Sequence, residues 1–156
     1  MKILVTSDTH GSYGAISDYI ILHDDIDLLI HAGDGVSDAK SIAYETGINY
    51  YVVNGNNDYF DQAFYDQVID LGGKKIFLTH GHRYDVYFTY DKIIDKAKSL
   101  KCDVAIFGHT HQYVNEKKNG ILLLNPSSPT LPRDGNGGFI IFDIDEDIKV
   151  NRILIN

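Results

Sequence analysis

The feature that most narrows the fold of this chain is a recurrence. A short apolar run ends abruptly in a polar cluster rich in glycine, aspartate or histidine. Residues 2–7 (KILVTS), 27–32 (DLLIHA), 48–53 (INYYVV) and 103–107 (DVAIF) have the length and branching of buried strands. Residues 13–23, 37–46 and 89–100 lie between them and carry helical periodicity. In the last of these, Ile93, Ile94 and Ala97 share one face, while Lys92, Lys96 and Lys101 stay outside it. Alternation of this kind predicts parallel strand pairing with helices on the outer faces.

The remainder of the chain reads as hairpins. Segments 67–71 and 74–79 flank Gly72–Gly73, 112–116 and 121–124 flank a turn over Lys117–Gly120, and 138–143 and 148–155 turn through Asp145–Asp147. Residues 125–137 hold all three prolines and are expected to form one long loop. Parallel and antiparallel strands together in 156 residues predict a single domain, 1–156, of two packed sheets with helices outside.

Five polar clusters fall at the ends of the apolar runs: Asp8-x-His10, Gly33-Asp34, Gly55-Asn56-Asn57-Asp58, His80-Gly81-His82 and Gly108-His109-Thr110-His111. Loops beyond the carboxyl ends of strands are where α/β sheets bind ligands. Five of the seven histidines lie in these clusters, which a surface scatter would not produce. Residues i and i+2 of an extended segment point to one side, so Asp8 and His10 are expected to grip one ion together. His109 and His111 either do likewise or reach one each of two adjacent ions. Carboxylates and imidazoles without a thiolate suit Mn²⁺, Fe²⁺, Zn²⁺ or Ni²⁺. Two such ions can activate water for phosphoryl displacement.

Composition excludes some partners. Acidic residues number 22 against 14 basic ones, a net charge of −8, so no basic block is available for general nucleic-acid binding. Two divalent cations would bring −8 to −4. No apolar run approaches the roughly 20 residues of a membrane helix, and residues 1–7 do not have the build of a signal peptide. Cys102 is the single cysteine and is expected to pack inertly, so the cytoplasm is the expected compartment. His23 and His31 read as structural. The 11 tyrosines are numerous for this length, and tyrosine is enriched at interfaces, so a homodimer is a further expectation.

The ordered set D-x-H, G-D, G-N-x-[DE], H-G-H and G-H-T-H resembles the calcineurin-like metallophosphoesterase superfamily. Within it, the chain is similar to the small single-domain bacterial and archaeal phosphodiesterases, through T-S-D-T-H-G at residues 6–11 and L-T-H-G-H at residues 78–82. The resemblance spans essentially the whole chain, including an N-P-x-S loop at Asn125, Pro126 and Ser128. It implies a four-layer αββα sandwich with two mixed sheets. It also implies two divalent ions, Mn²⁺ first, with Ni²⁺, Fe²⁺ and Zn²⁺ as alternatives. Asp8, His10 and His111 would hold one ion, Asn56, His80 and His109 the other, and Asp34 would bridge them. The implied reaction is hydrolysis of a small phosphodiester substrate by metal-activated water.

Two positions depart from the family. Asn57 stands where larger relatives carry a histidine that protonates the leaving group; His82 is the candidate substitute, and Asp58 joins Asn57 and His82 among the catalytic candidates. Ser127 stands where the family loop usually has glycine, which leaves that loop's conformation open. Arg133 is the candidate substrate contact. The rival readings are a phosphomonoesterase and a non-catalytic interaction scaffold on the same fold, as in a eukaryotic retromer subunit. All seven ligand positions are filled with competent residues, which favours the enzyme.

Overall fold

A computed structural model describes residues 1–155. The elements follow in the order β1 (Lys2–Thr6), α1 (Gly14–Leu22), β2 (Leu28–His31), α2 (Val36–Thr46), β3 (Asn49–Val52), β4 (Asp66–Leu71), β5 (Lys74–Thr79), α3 (Asp91–Ser99), β6 (Val104–Ile106), β7 (Tyr113–Lys118), β8 (Ile121–Pro126), β9 (Gly138–Ile144) and β10 (Ile148–Leu154). They make two five-stranded sheets of order β10-β9-β1-β2-β3 and β4-β5-β6-β8-β7. The expected alternation pairs in parallel, β1 with β2 and β2 with β3 in one sheet, β5 with β6 and β6 with β8 in the other. The three hairpins add the antiparallel strands.

Side-chain alternation makes the layers. In β1, Ile3 and Val5 point between the sheets and meet Ile76, Leu78 and Ile106 of the opposite sheet. Leu4 points outward with Leu29, against Ile16 and Ile20 of α1 and Ile42 of α2. The second sheet repeats the scheme: Phe77, Ala105 and Leu123 face outward, onto Ile93, Ile94 and Ala97 of α3. Each sheet is covered on both faces, which is why β1, β2 and β6 are continuous apolar runs. The architecture is the four-layer αββα sandwich.

Local chemistry explains the turns. Gly72 and Gly73 both hold positive φ, 57° and 78°, as a two-residue hairpin turn of matching twist requires. Two of the boundaries that differ from expectation shape the turns. Strand β7 continues to Lys118, so its turn is only Asn119–Gly120, again both left-handed (52° and 84°). The loop expected from residue 125 starts later, because β8 keeps Asn125 and Pro126 in its ladder with β7. Proline is tolerated there because β6 stops pairing at Leu124, so no β6 carbonyl lacks a donor. Among the described residues, no helix is long and apolar enough to cross a membrane.

Candidate metal centre

All five polar clusters lie beyond the carboxyl ends of strands: after β1, β2 and β3 in the first sheet, and after β5 and β6 in the second. The adjacent sheet ends place them around one point. Asp8, His10, Asp34, His109 and His111 all have left-handed backbone, with φ of 54°, 46°, 54°, 69° and 55°. Such geometry costs a non-glycine residue about 1–3 kcal/mol and persists only where the surroundings enforce it. Here they do: Asp8 N–H donates to Gly33 O (2.9 Å), and His10 N–H to Asp34 O (3.2 Å). Asp8 and His10 therefore meet around a turn rather than along an extended segment. Glycine is required where the loops touch. A Cβ on Gly55 would lie 2.1 Å from Asp34 Oδ1, and one on Gly108 would lie 1.9 Å from Ser7 Oγ.

The side chains form two overlapping groups whose ligand atoms all lie within 4.8 Å of one another: Asp8, His10 and His111, and Asp8, Asp34 and His80. Asp34 Oδ2 stands 3.7 Å from His10 Nε2 and 3.5 Å from His80 Nε2, between the two sides. Asn56 Oδ1 approaches His80 Nε2 at 3.0 Å. His109 stays outside the Asp8 and His111 group and turns its ring toward His80, with 5.1 Å between centroids. Of the two arrangements left open for His109 and His111, the structure thus has each facing a different side.

Hydrogen bonds behind these groups aim them. His80 Nδ1–H donates to Ala32 O (2.7 Å) and His111 Nδ1–H to Leu131 O (2.7 Å), which leaves each Nε2 lone pair facing inward. Asp8 Oδ2 accepts from Ser7 Oγ (2.6 Å) and from His109 N–H (2.9 Å). Asp8 Oδ1 is fully buried with no hydrogen-bond partner, although His111 Nε2 is 3.1 Å away. With a neutral imidazole two lone pairs face each other there, a repulsion that a proton or a cation converts into attraction. A buried anionic oxygen left in that state is costly, so the donor set fits a divalent ion.

Without a cation, the carboxylates and imidazoles shift one another's titration. Burial raises the Asp8 carboxyl, but His111, His80 and Ser7 outweigh it and hold the group below the usual carboxylate range. Burial also opposes ionisation of Asp34, yet His80 and the Asn57 donors pull its carboxyl well below that range. His80 is raised despite its burial, through Asp34 and Asp8, and His111 is raised chiefly by Asp8. Burial pushes His109 down to about 4, helped by the neighbouring His80, and lowers His82 as well.

The remaining candidates sit around this centre. Asn57 donates through its backbone N–H to Asp34 Oδ1 (2.8 Å) and through its amide to Asp34 Oδ2 (2.7 Å). Asp58 has its carboxylate committed elsewhere, accepting the backbone N–H groups of Asp34, Gly35, Val36 and Gly55 at 2.8–3.1 Å. It caps the N-terminus of α2, where Gly35 supplies no side chain, and it ties the loop after β2 to the loop after β3. His82 lies half-buried beside His80, its Nδ1 without a partner. Arg133 bonds Tyr87 Oη and lies over the Tyr87 ring at 5.7 Å, while its backbone N–H donates to His111 O.

Other polar residues brace the ligands, among them Ser127 and Ser128 of the loop that the family resemblance marks. Thr9 donates to Asp38 and accepts from His31 Nε2 (2.9 Å), while His31 Nδ1 accepts from Gly33 N–H (3.2 Å). Ser128 Oγ donates to Asp8 O (2.7 Å). Ser127 takes the left-handed φ of 68° that glycine would adopt freely, and its hydroxyl donates to His111 O (2.8 Å) in compensation.

With fold and ligand geometry in hand, similarity defines the class. Residues 1–147 match the model of the calcineurin-like phosphoesterase superfamily domain, and the chain belongs to that family. A probable metallophosphoesterase of Bacillus subtilis, YsnB, is 34% identical over 134 residues, covering 85% of this chain and 78% of its own. The phosphodiesterase MJ0936 of Methanocaldococcus jannaschii is 31% identical, over 81% of this chain and 82% of its own. A predicted phosphoesterase from Streptococcus pneumoniae superposes with a TM-score of 0.85 at 27% identity, covering 98% and 88% of the two chains. Vps29 of Entamoeba histolytica, in complex with Zn²⁺, superposes at 0.79 over the full length of both, and at 22% identity shows a shared fold alone.

Proposed function

We propose that this phosphoesterase is a dinuclear, manganese-dependent phosphodiesterase acting on a small phosphodiester. The observation that carries the reading is the pair of ligand groups sharing Asp8, with the buried Oδ1 of that residue unpartnered. Asp8, His10 and His111 would hold one ion and Asn56, His80 and His109 the other, with Asp34, which has contacts on both sides, as the bridge. Two ions held there supply a water of lowered pKa and a clamp on the oxygens of an in-line displacement.

The chain's own residues do the rest. Ser7 and the His109 N–H fix one oxygen of Asp8 and leave the other free to ligate. Ala32 and Leu131 carbonyls select the tautomers of His80 and His111. Asn57 holds both oxygens of Asp34 and is a donor that cannot release a proton at neutral pH, so it positions the bridge rather than protonating a leaving group. Asp58 acts in the same indirect way, through the backbone of Asp34 and Gly55. His82 borders the ligands and is the candidate proton donor; Arg133, beside His111, is the candidate contact to a phosphate oxygen.

The test is elemental analysis of the purified protein combined with a matrix of metals against aryl mono- and diesters on chelator-stripped protein. Two equivalents of metal and diester turnover highest with Mn²⁺ are expected. Protein that binds metal and hydrolyses neither ester would favour the scaffold reading, and faster monoester turnover would make it a phosphomonoesterase.

A further inference from the structure

Beside the metal centre the surface opens into a cleft of about 350 Å³, of the size that takes a small ligand. Asn56, His82, Tyr59 and Tyr65 are among its lining residues, and Asn56 and His82 adjoin His80. The cleft is therefore continuous with the ligand set, since Asn56 Oδ1 reaches His80 Nε2 and the His82 ring lies 5.4 Å from the His80 ring.

Its lining sets two tyrosine rings among the polar side chains of Asn54, Asn56 and His82. Tyr59 is 77% exposed and Tyr65 48%, so both rings leave surface open to a ligand at the cleft. Tyr65 is held in place: the Arg83 guanidinium lies 5.1 Å over its ring, and the His82 ring is tilted against it at 5.9 Å. Two carboxylates line the cleft, and both are already engaged. Asp58 accepts four backbone N–H groups, and Asp61 pairs with Lys40 at 3.2 Å. A phosphoester entering from this side meets the two rings, with both carboxylates of the lining already engaged.

We propose that this cleft receives a planar aromatic ring carried on one arm of the phosphoester, while its phosphoryl group lies at the metal centre. This rests on the phosphoesterase reading and narrows its substrate class to esters with a flat ring close to the phosphorus. Offset or edge-to-face contact with Tyr59 and Tyr65 adds to binding beyond the area it covers. Small alkyl esters leave the walls wet and gain nothing from them.

The test uses phosphonates, whose carbon–phosphorus bond the reaction does not cleave. Calorimetric titration of the Mn²⁺-loaded protein compares phenyl-, cyclohexyl- and methylphosphonate, and hydrolysis of bis(p-nitrophenyl) phosphate is measured separately. Phenylphosphonate is expected to bind about 2–12-fold tighter than methylphosphonate, the range of one aromatic contact, with cyclohexylphosphonate weaker than phenyl. Tyr65→Ala and Tyr59→Ala should each reduce the ratio, Tyr65→Trp should keep it, and Tyr44→Ala, on the outer side of α2, should leave it unchanged. Equal binding of phenyl and methyl, equal binding of phenyl and cyclohexyl, or a ratio indifferent to both tyrosines overturns the ring subsite. Diester hydrolysis without a ring preference overturns the subsite alone. A ring preference without hydrolysis supports the subsite while sinking the diesterase reading.

Discussion

The two sheets supply chemically different halves of one site. The first contributes Asp8, His10, Asp34 and Asn56 from the ends of β1, β2 and β3, and with them every carboxylate of the proposed ligand set. The second contributes His80, His109 and His111 from β5 and β6, imidazoles without exception. Neither half is complete. The anionic half holds an unpartnered Asp8 oxygen, and His111 of the imidazole half brings its Nε2 to 3.1 Å from it. The difference teaches that the ligand set spans the interface between the sheets, so each cation would join the two layers as well as serve the reaction.

The sharpest way to break this comparison is at the bridge. Asp34→Asn removes the charge that faces both halves and should cut diesterase activity by several orders of magnitude, with bound metal reduced on elemental analysis and the circular dichroism spectrum unchanged. His109→Ala touches one half only and should leave about one equivalent of metal. Retention of two equivalents by Asp34→Asn would show that the halves bind independently.

Next in size is the effect of the ions on stability. A cation at 100-fold over its Kd stabilises the folded state by about 2.7 kcal/mol per site. At about 2–4 °C per kcal/mol for a chain of this length, Mn²⁺ should raise the melting temperature of stripped protein by roughly 5–10 °C per site. Identical melting curves with Mn²⁺ and with chelator would mean that the halves are not joined by metal.

The proton for the leaving group tests whether the two halves divide the chemistry. Rates over a series of substituted phenyl diesters should rise steeply as leaving-group pKa falls, because Asn57 donates to Asp34 and yields no proton. Asn57→His, at saturating metal, should flatten that dependence and help poor leaving groups by up to roughly 10²-fold. If His82 supplies the proton from the imidazole half, His82→Ala should steepen the slope instead. A flat wild-type slope that survives His82→Ala rules out both residues.

The smallest expected effect lies behind the anionic half. Burial holds His31 neutral, with its pKa pushed down to about 4 against an ordinary 6.5. The unfolded chain protonates this residue first as pH falls, so its contribution to stability declines from about pH 6.5 down to 4. Between pH 7.5 and 5 the loss is about 2 kcal/mol. His80 and His111, raised in the fold, contribute in the opposite sense. The measurement is therefore the difference between wild type and His31→Gln in denaturant melts of metal-free protein at the two pH values. A difference independent of pH would show that His31 is not held neutral.

What the sequence revealed follows from the range of the interactions involved. Strands, the three helices and the Gly72–Gly73 turn are set by nearest neighbours and periodicity, and they were legible. The position of the five polar clusters at strand ends was legible too, because each ends an apolar run. Asp58 was misleading: its place in a catalytic-looking motif hid a capping role toward α2, which begins 22 residues earlier. The His31–Thr9–Asp38 chain spans 22 and 29 residues and has no local pattern, and the N-P-x-S motif gave no sign that Ser128 would bond Asp8 O, 120 residues away. Tyr59 and Tyr65 were two among 11 tyrosines until the fold placed them beside His82. The reason given for Asp8 and His10 was wrong in its geometry, since a left-handed turn replaces the extended segment.

The order of strands in the first sheet also governs when this molecule can come into being. Strand β1, which carries Asp8 at its end, lies between β2 and β9. Its neighbour β2 follows within 30 residues, but β9 begins at Gly138, 132 residues after Thr6. At about 5–20 residues per second, a ribosome leaves one side of β1 without its partner for roughly 7–26 s. During that time β1 exposes an apolar, unpaired edge, the kind of surface that recruits other strands or a chaperone. Closure by so distant a partner is also intrinsically slow. The half of the molecule that holds the carboxylates is thus begun first and finished last.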